Sequence, residues 1–254
     1  MTFDRLDDEL ARWADVGRVA TLWWRDDDAV AMTRALAPLL ELARAHEVPV
    51  ALAVVPALLE GSLVATVAPA PQCSIVQHGY AHRNHAPAGA KPRELGVERP
   101  LEVVVAELGS GRDRLRTAFG PRFEPVLVPP WNRIDPHVVA ELPALGFVGL
   151  STFGPRTCRD AAPGLPCCNA HADPIAWRDG RRFVGAAHAL DAVLDHLARR
   201  RRGTVDPDEP TGMLTHHLVF DAEAWRFVGE LLARTCHHPA VRWVSIADAV
   251  RRGP

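Results

Sequence analysis

The strongest constraint in this chain is an alternation that runs along its whole length, in which short continuous apolar runs are separated by stretches with helical periodicity. The runs at 19–24, 50–55, 74–77, 125–128, 147–152, 167–170, 213–215 and 241–245 have the length and composition of strands covered on both faces. Between them, 30–46, 101–119, 136–145, 187–201 and 222–236 read as helices. The first of these sets Met32, Leu36, Leu39, Leu40 and Ala43 three and four residues apart, with Arg34, Glu41 and Arg44 on the other face. Strands joined by crossover helices run parallel, so the expected fold is α/β. Seven or eight such units in this length predict an irregular (β/α) barrel of about seven parallel strands, with 1–254 as a single domain. The turn-rich stretches 86–100 and 204–212 read as long loops, because a strand or helix resumes directly after each.

Composition removes several classes of function. With 29 basic and 31 acidic residues the net charge is −2, and Lys91 is the only lysine, which argues against a general nucleic-acid binder. The 22 prolines and 18 glycines are scattered between apolar runs, unlike those of a disordered or collagenous chain. The segment Met1-Thr2-Phe3-Asp4-Arg5-Leu6-Asp7-Asp8 is acidic where an export signal is basic and then apolar, and no run approaches the roughly 20 apolar residues of a membrane span. A cytoplasmic protein is expected, its five cysteines reduced and mostly buried, since none forms a CxxC pair.

Residues capable of chemistry follow the strand candidates, at the ends that share one face of a parallel fold. Arg25-Asp26-Asp27-Asp28 follows the first. His78-Gly79-Tyr80-Ala81-His82 and His85 follow the third, Pro130-Trp131-Asn132-Arg133 the fourth, Ser151-Thr152 the fifth, His171 and Asp173 the sixth, and His216-His217 the seventh. One Asp before a helix is an ordinary cap. Three in a row behind an apolar strand crowd negative charge that calls for a cation. Two imidazoles four residues apart can converge on one zinc ion with an Asp as third ligand and water completing the shell. Of His216 and His217, alternation along a strand turns one toward the site and the other away, with the choice open. Trp23 and Trp24 read as core, and Arg199 to Arg202 as a solvated helix terminus.

In order and placement these motifs resemble the polysaccharide deacetylase family of carbohydrate esterases. The resemblance spans Asp26 to His216 but rests on few identical residues. It implies an irregular barrel and metal-dependent removal of an acetyl or similar acyl group from an N-acylated sugar or related amide. It implies Asp26 as base, Asp27, His78 and His82 as ligands of a divalent metal with zinc the expected ion, and His216 or His217 as the acid. It places the oxyanion at the backbone N–H of Trp131, and substrate contacts at Trp131, Asn132, Arg133, Asp173 and Trp177. The chain departs from the pattern at Val128, where the family has an Arg that orients the catalytic Asp, and Arg25 or Arg133 is the candidate substitute. It departs also at Gly79, usually Ser or Thr, and at Asp28, usually Gly. A small or lipid-linked acylated sugar is the expected partner. Hydrolysis of a non-sugar linear or cyclic amide, or a noncatalytic carbohydrate-binding barrel, are the competing readings.

Overall fold

A computed structural model describes residues 3–251. Residues 1–2 and 252–254, the ends of the stretch read as one domain, lie outside the described residues, as do Met1 and Thr2 of the polar N-terminal segment. Five parallel strands form the body of the sheet: β1 (Ala20–Ala29), β2 (Val50–Val54), β3 (Cys73–His78), β4 (Phe123–Val128) and β5 (Gly149–Leu150). Two short antiparallel pairs follow, β6 (Asp160–Ala162) with β7 (Leu165–Pro166) and β8 (Ile175–Ala176) with β9 (Arg182–Phe183). The chain then returns through β10 (Thr211–Thr215) and β11 (Val241–Trp243), both parallel to β1 on its other edge. The order β10-β1-β2-β3-β4-β5 is that of the expected irregular barrel.

Between the open edges runs the segment read as a strand at 167–170. It makes isolated parallel bridges instead, Leu150 to Cys167, Phe153 to Ala170 and Ala172 to Met213, and so spans from β5 to β10. A full strand is prevented by side chains from neighbouring segments: the Trp23 indole N–H donates to the Asn169 carbonyl at 3.0 Å, and Asn169 itself bonds Thr152 and Gly154. Gly212 is required at this closure, since a Cβ there would lie 2.5 Å from both the Asn169 oxygen and the Trp23 indole nitrogen.

The helices are α1 (Asp4–Asp15), α2 (Ala37–Ala45), α3 (Gly61–Val67), α4 (Leu101–Phe119), α5 (Pro136–Glu141), α6 (Ala186–Arg202), α7 (Ala222–Thr235) and α8 (Ile246–Arg251). Among the described residues none is long and apolar enough to cross a membrane. The helix expected at 30–46 begins only at Ala37, because β1 continues to Ala29 and Pro38 sets the first helical turn. Asp135 and Asp221 cap α5 and α7 by accepting the N–H groups of His137 and Ala224. Helix α1 begins within the segment read as acidic and runs on to Asp15, and Leu6, Leu10 and Trp13 lie along one side of it and are fully buried.

Alternation along the strands separates two layers of core. Trp23, Ala51, Ala53, Val76, Val126, Val128 and Cys168 fill the barrel, with Val250 of α8 packed against them. Leu22, Trp24, Leu52, Ile75 and Met213 face outward, under the helices. Removing the interior Trp23 side chain would cost roughly 3–5 kcal/mol. This two-faced arrangement also decides where each polar residue at a strand end points.

Candidate metal centre and active site

β1 is longer than the sequence suggests and carries the acidic residues inside the strand. Parity therefore sorts them. Arg25 and Asp27 share the inner face with Trp23, whereas Asp26 shares the outer face with Trp24. Asp26 is fully buried and spent on structure: its carboxylate accepts the Thr215 hydroxyl at 2.6 Å, the His217 N–H at 3.1 Å, and pairs with His217 Nδ1 at 2.5 Å. It has no path to a substrate, so the expectation that Asp26 is the base is corrected by strand parity.

Asp27 lies against Arg25, which is itself 0% exposed. Nη2 donates to Oδ2 at 3.1 Å, and Nε makes an ion contact with Oδ1 at 2.8 Å that is poorly angled for a hydrogen bond. The same guanidinium bonds the Ser151 hydroxyl at 2.7 Å, the Ser151 and Thr152 carbonyls, and Asn132 Oδ1 at 2.7 Å. It thereby ties β1 to the end of β5 and to the Pro130–Asn132 turn. Val128, where the resembled family has its orienting Arg, is interior apolar core. Of the two candidate substitutes, Arg25 is the one on a carboxylate; Arg133 donates to the Pro92 carbonyl at 2.8 Å.

The carboxylate that meets the imidazoles is Asp28, one residue beyond the expected Asp27. The β1–β2 register shifts between Asp26 and Ala29, and Asp28 has φ +73, so its side chain leaves the strand's alternation and turns across the barrel mouth. Its Oδ1 lies 3.2 Å from His78 Nε2 and 3.3 Å from His82 Nε2. His78 Nδ1 sits 3.0 Å from the Val128 carbonyl, which can only accept, so Nδ1 holds a proton and the Nε2 lone pair of the neutral ring faces Asp28. A lone pair aimed at a carboxylate oxygen needs positive charge between them. The donor set therefore fits a divalent cation, and one carboxylate with two imidazoles suits zinc.

The electrostatics show the same demand for positive charge at this point, which a proton on His78 meets when no cation is bound. Burial works to lower the His78 pKa, but the carboxylates of Asp27 and Asp28 outweigh it and hold it above the usual imidazole value. Burial pushes the Asp28 carboxyl upward, and the hydrogen bond and charge of His78, with His82 and His216 adding, hold it well below the carboxylate range. Burial and the neighbouring His78 keep the His82 imidazole low.

His216 faces the site and His217 turns away to Asp26, continuing beyond Thr215 the alternation of β10. His216 Nε2 is 4.0 Å from Asp27 Oδ2, its Nδ1 is buried without a hydrogen-bond partner, and its ring meets Trp177 edge-on at 4.5 Å. The Trp177 indole in turn donates to Asp173 at 2.6 Å. Burial raises the Asp173 pKa, partly offset by His216 and by the Trp177 bond. Trp131, with φ +54, packs its ring 4.4 Å from that of His82. Asn132 Oδ1 accepts from Arg25, and Arg133 Nη1 donates to the Pro92 carbonyl of the 86–100 loop. His85 stands outside the cluster, its backbone N–H on the Arg93 carbonyl.

A second group of two imidazoles and a carboxylate, His171, His196 and Glu209, is fully buried deeper in the fold. There the Gly212 N–H donates to His171 Nδ1 at 2.9 Å, so the ring proton lies on Nε2 and no lone pair faces Glu209. The two rings are stacked at 3.4 Å and 14°, which prevents both from directing an in-plane lone pair at one ion. The chemistry of this group does not fit a metal.

No protein-family profile matches the chain, and no curated protein is similar to it in sequence. Solved structures are similar in fold. A "putative polysaccharide deacetylase" from Mycobacterium smegmatis has a TM-score of 0.70 at 14% identity, over 92% of this chain and 90% of that one. The Bc1960 peptidoglycan N-acetylglucosamine deacetylase has a TM-score of 0.59 at 14% identity, covering 93% and 90%. A family 4 acetyl xylan esterase from Clostridium thermocellum, in complex with a cobalt ion, has 0.55 at 14%, covering 90% and 89%. The chain shares the fold of these deacetylases at 14% sequence identity.

Proposed function

We propose that this protein is a metal-dependent deacylase that hydrolyses the amide of a small or lipid-linked N-acylated sugar in the cytoplasm. The observation that carries the reading is the convergence of Asp28 Oδ1 with the His78 and His82 Nε2 atoms, with the His78 tautomer fixed by Val128. A divalent cation held by these three residues would polarise the scissile carbonyl and acidify water at neutral pH.

Asp27 takes the part of the base, accepting the proton of the attacking water. Arg25 holds that carboxylate in place through an Nη2 hydrogen bond and an Nε ion contact, which a lone buried Asp would lack. The backbone N–H of Trp131, presented from a left-handed turn, stabilises the oxyanion. His216 protonates the departing amine. Its 4.0 Å separation from Asp27 lets one tetrahedral centre lie within reach of both groups. Trp177, 41% exposed and braced by Asp173, offers a face on which a sugar ring can stack.

Support for a working enzyme over a noncatalytic barrel comes from Arg25, which supplies from β1 the cation missing at Val128. The test is elemental analysis together with acetate release from N-acetylated amino sugars, for wild type and for Asp28→Ala. About one divalent ion per chain, lost in the variant together with turnover, is expected. Wild-type metal content and activity in Asp28→Ala would falsify the assignment.

A further inference from the structure

We infer that Glu94, in the long 86–100 loop, is the residue that sets the position of His82 and thereby the geometry of the metal centre; for the metal, this rests on the function proposed above. Glu94 is 1% exposed and makes no ion pair with Lys or Arg among the described residues. Its charge is met by the backbone of the turn joining the two ligand histidines. Oε2 accepts the Tyr80 N–H at 3.0 Å, and Oε1 accepts the Ala81 N–H at 2.7 Å and the Arg83 N–H at 3.4 Å. A buried carboxylate without a cation is costly to keep, and its hydrogen bonds to N–H groups are roughly twice as strong as neutral ones. The turn is consequently wound around the carboxylate.

The turn needs that support. Gly79 and His82 both have φ +54, and His82 carries a side chain in a region where backbone strain is typical. Gly79 and Glu94 are also coupled by space: a Cβ at Gly79 would lie 2.0 Å from Glu94 Oε2 and 2.6 Å from the Pro130 ring. The Ser or Thr expected after the first ligand histidine therefore cannot be accommodated, and the acceptor comes from 14 residues further along the chain. The loop around Glu94 is itself anchored, within itself and to the segment after Trp131. The Arg99 guanidinium donates to its carbonyl, the Asp135 N–H donates to the Leu95 carbonyl at 2.8 Å, and Arg133 holds the Pro92 carbonyl. Through these contacts the loop bearing Glu94 fixes the His82 turn relative to the segment that carries Trp131.

Glu94→Gln tests this, because the amide replaces one acceptor by a donor that must face an N–H. Two readouts are used: zinc affinity by competition with a chromophoric chelator, and hydrogen exchange at Tyr80, Ala81 and Arg83. Zinc binding is expected to weaken about 10- to 100-fold, the range for an outer-shell partner of a ligand, with far-UV circular dichroism unchanged. Exchange at the three amides should accelerate while that of the β2 and β3 strands does not. Glu94→Asp, which keeps the charge, is expected to fall between wild type and Gln and covers the case in which Gln does not fold. Wild-type exchange at these amides in both variants overturns the inference. Should the wild type bind no divalent metal, the proposed function fails while the exchange data still decide the role of Glu94.

Discussion

Two clusters in this barrel have the same composition, one carboxylate and two imidazoles each, and differ in what their other ring nitrogens touch. At the mouth, His78 Nδ1–H donates a hydrogen bond to the Val128 carbonyl, so in the neutral ring the Nε2 lone pair faces Asp28. In the interior, His171 Nδ1 receives a backbone N–H, so its Nε2 faces Glu209 as an acid at 3.4 Å. The surroundings differ accordingly. Glu209 is already occupied by the backbone N–H groups of Arg156 and Asn169, and burial drives the His171 pKa down and that of His196 to about 2. At the mouth, Asp27 and Asp28 pull His78 the other way, upward. Ligand-type residues in proximity are thus insufficient for a metal site; the hydrogen bond on the far side of each ring decides between a cation site and a packed polar cluster.

The contrast can be broken most directly by His78→Ala, which is expected to empty the protein of bound divalent metal and abolish amide hydrolysis, read by elemental analysis and acetate release. In Glu209→Gln the metal count is expected to stay at the wild-type value. Two ions per wild-type chain, one of them lost in Glu209→Gln, would mean that the interior cluster binds metal after all.

A sharper division lies between adjacent aspartates. Asp27→Asn should lower kcat by about 10²- to 10⁴-fold with metal retained, the size of effect expected for a general base. Asp26→Asn should leave kcat within about tenfold of wild type, because no substrate atom reaches it. A loss of turnover in Asp26→Asn with Asp27→Asn active would reverse the two roles.

Asp26→Asn should instead act on stability, by about 3–5 kcal/mol for a broken buried pair. Burial opposes protonation of His217, yet Asp26 raises its pKa above the ordinary imidazole value. A raised folded-state pKa contributes stability that is fully present below the unfolded value and is lost as pH rises through the folded one. The gap in Tm between wild type and Asp26→Asn should therefore be wider at pH 6 than at pH 9. A gap that widens with pH would show that the pair is not held as imidazolium and carboxylate. The smallest of these effects is expected at Trp177→Phe, which keeps the ring but loses the bond to Asp173, and should change KM more than kcat.

Much of this was legible in the residues. The helix at 101–119 was readable to its ends, the barrel follows from the alternation of strands and helices, the split between His216 and His217 from strand parity, and the pairing of His78 with His82 from their four-residue spacing and the family resemblance. Parity also separates Asp26 from Asp27 once β1 is allowed to run to Ala29, and the i, i+2 pairing of Arg25 with Asp27 was present as a signal. The 3.6-residue spacing of Leu6, Leu10 and Trp13 marks α1 in the same way. Asp28 could not be assigned by such counting, because a bulge and a positive φ break the period that the count depends on.

By itself, then, the sequence determined most of the strands and helices and, wherever a strand is regular, which face a side chain occupies, since both are set by local sterics and by apolar burial at fixed periods. The tertiary structure decided what those faces meet. Whether His78 presents a lone pair depends on a carbonyl of β4, where the Asp27 carboxylate is held depends on a guanidinium anchored at the end of β5, and the His82 turn depends on a carboxylate that returns from a later loop. Each is a contact between segments whose spacing along the chain carries no period, and only the closed barrel brings them within hydrogen-bond distance.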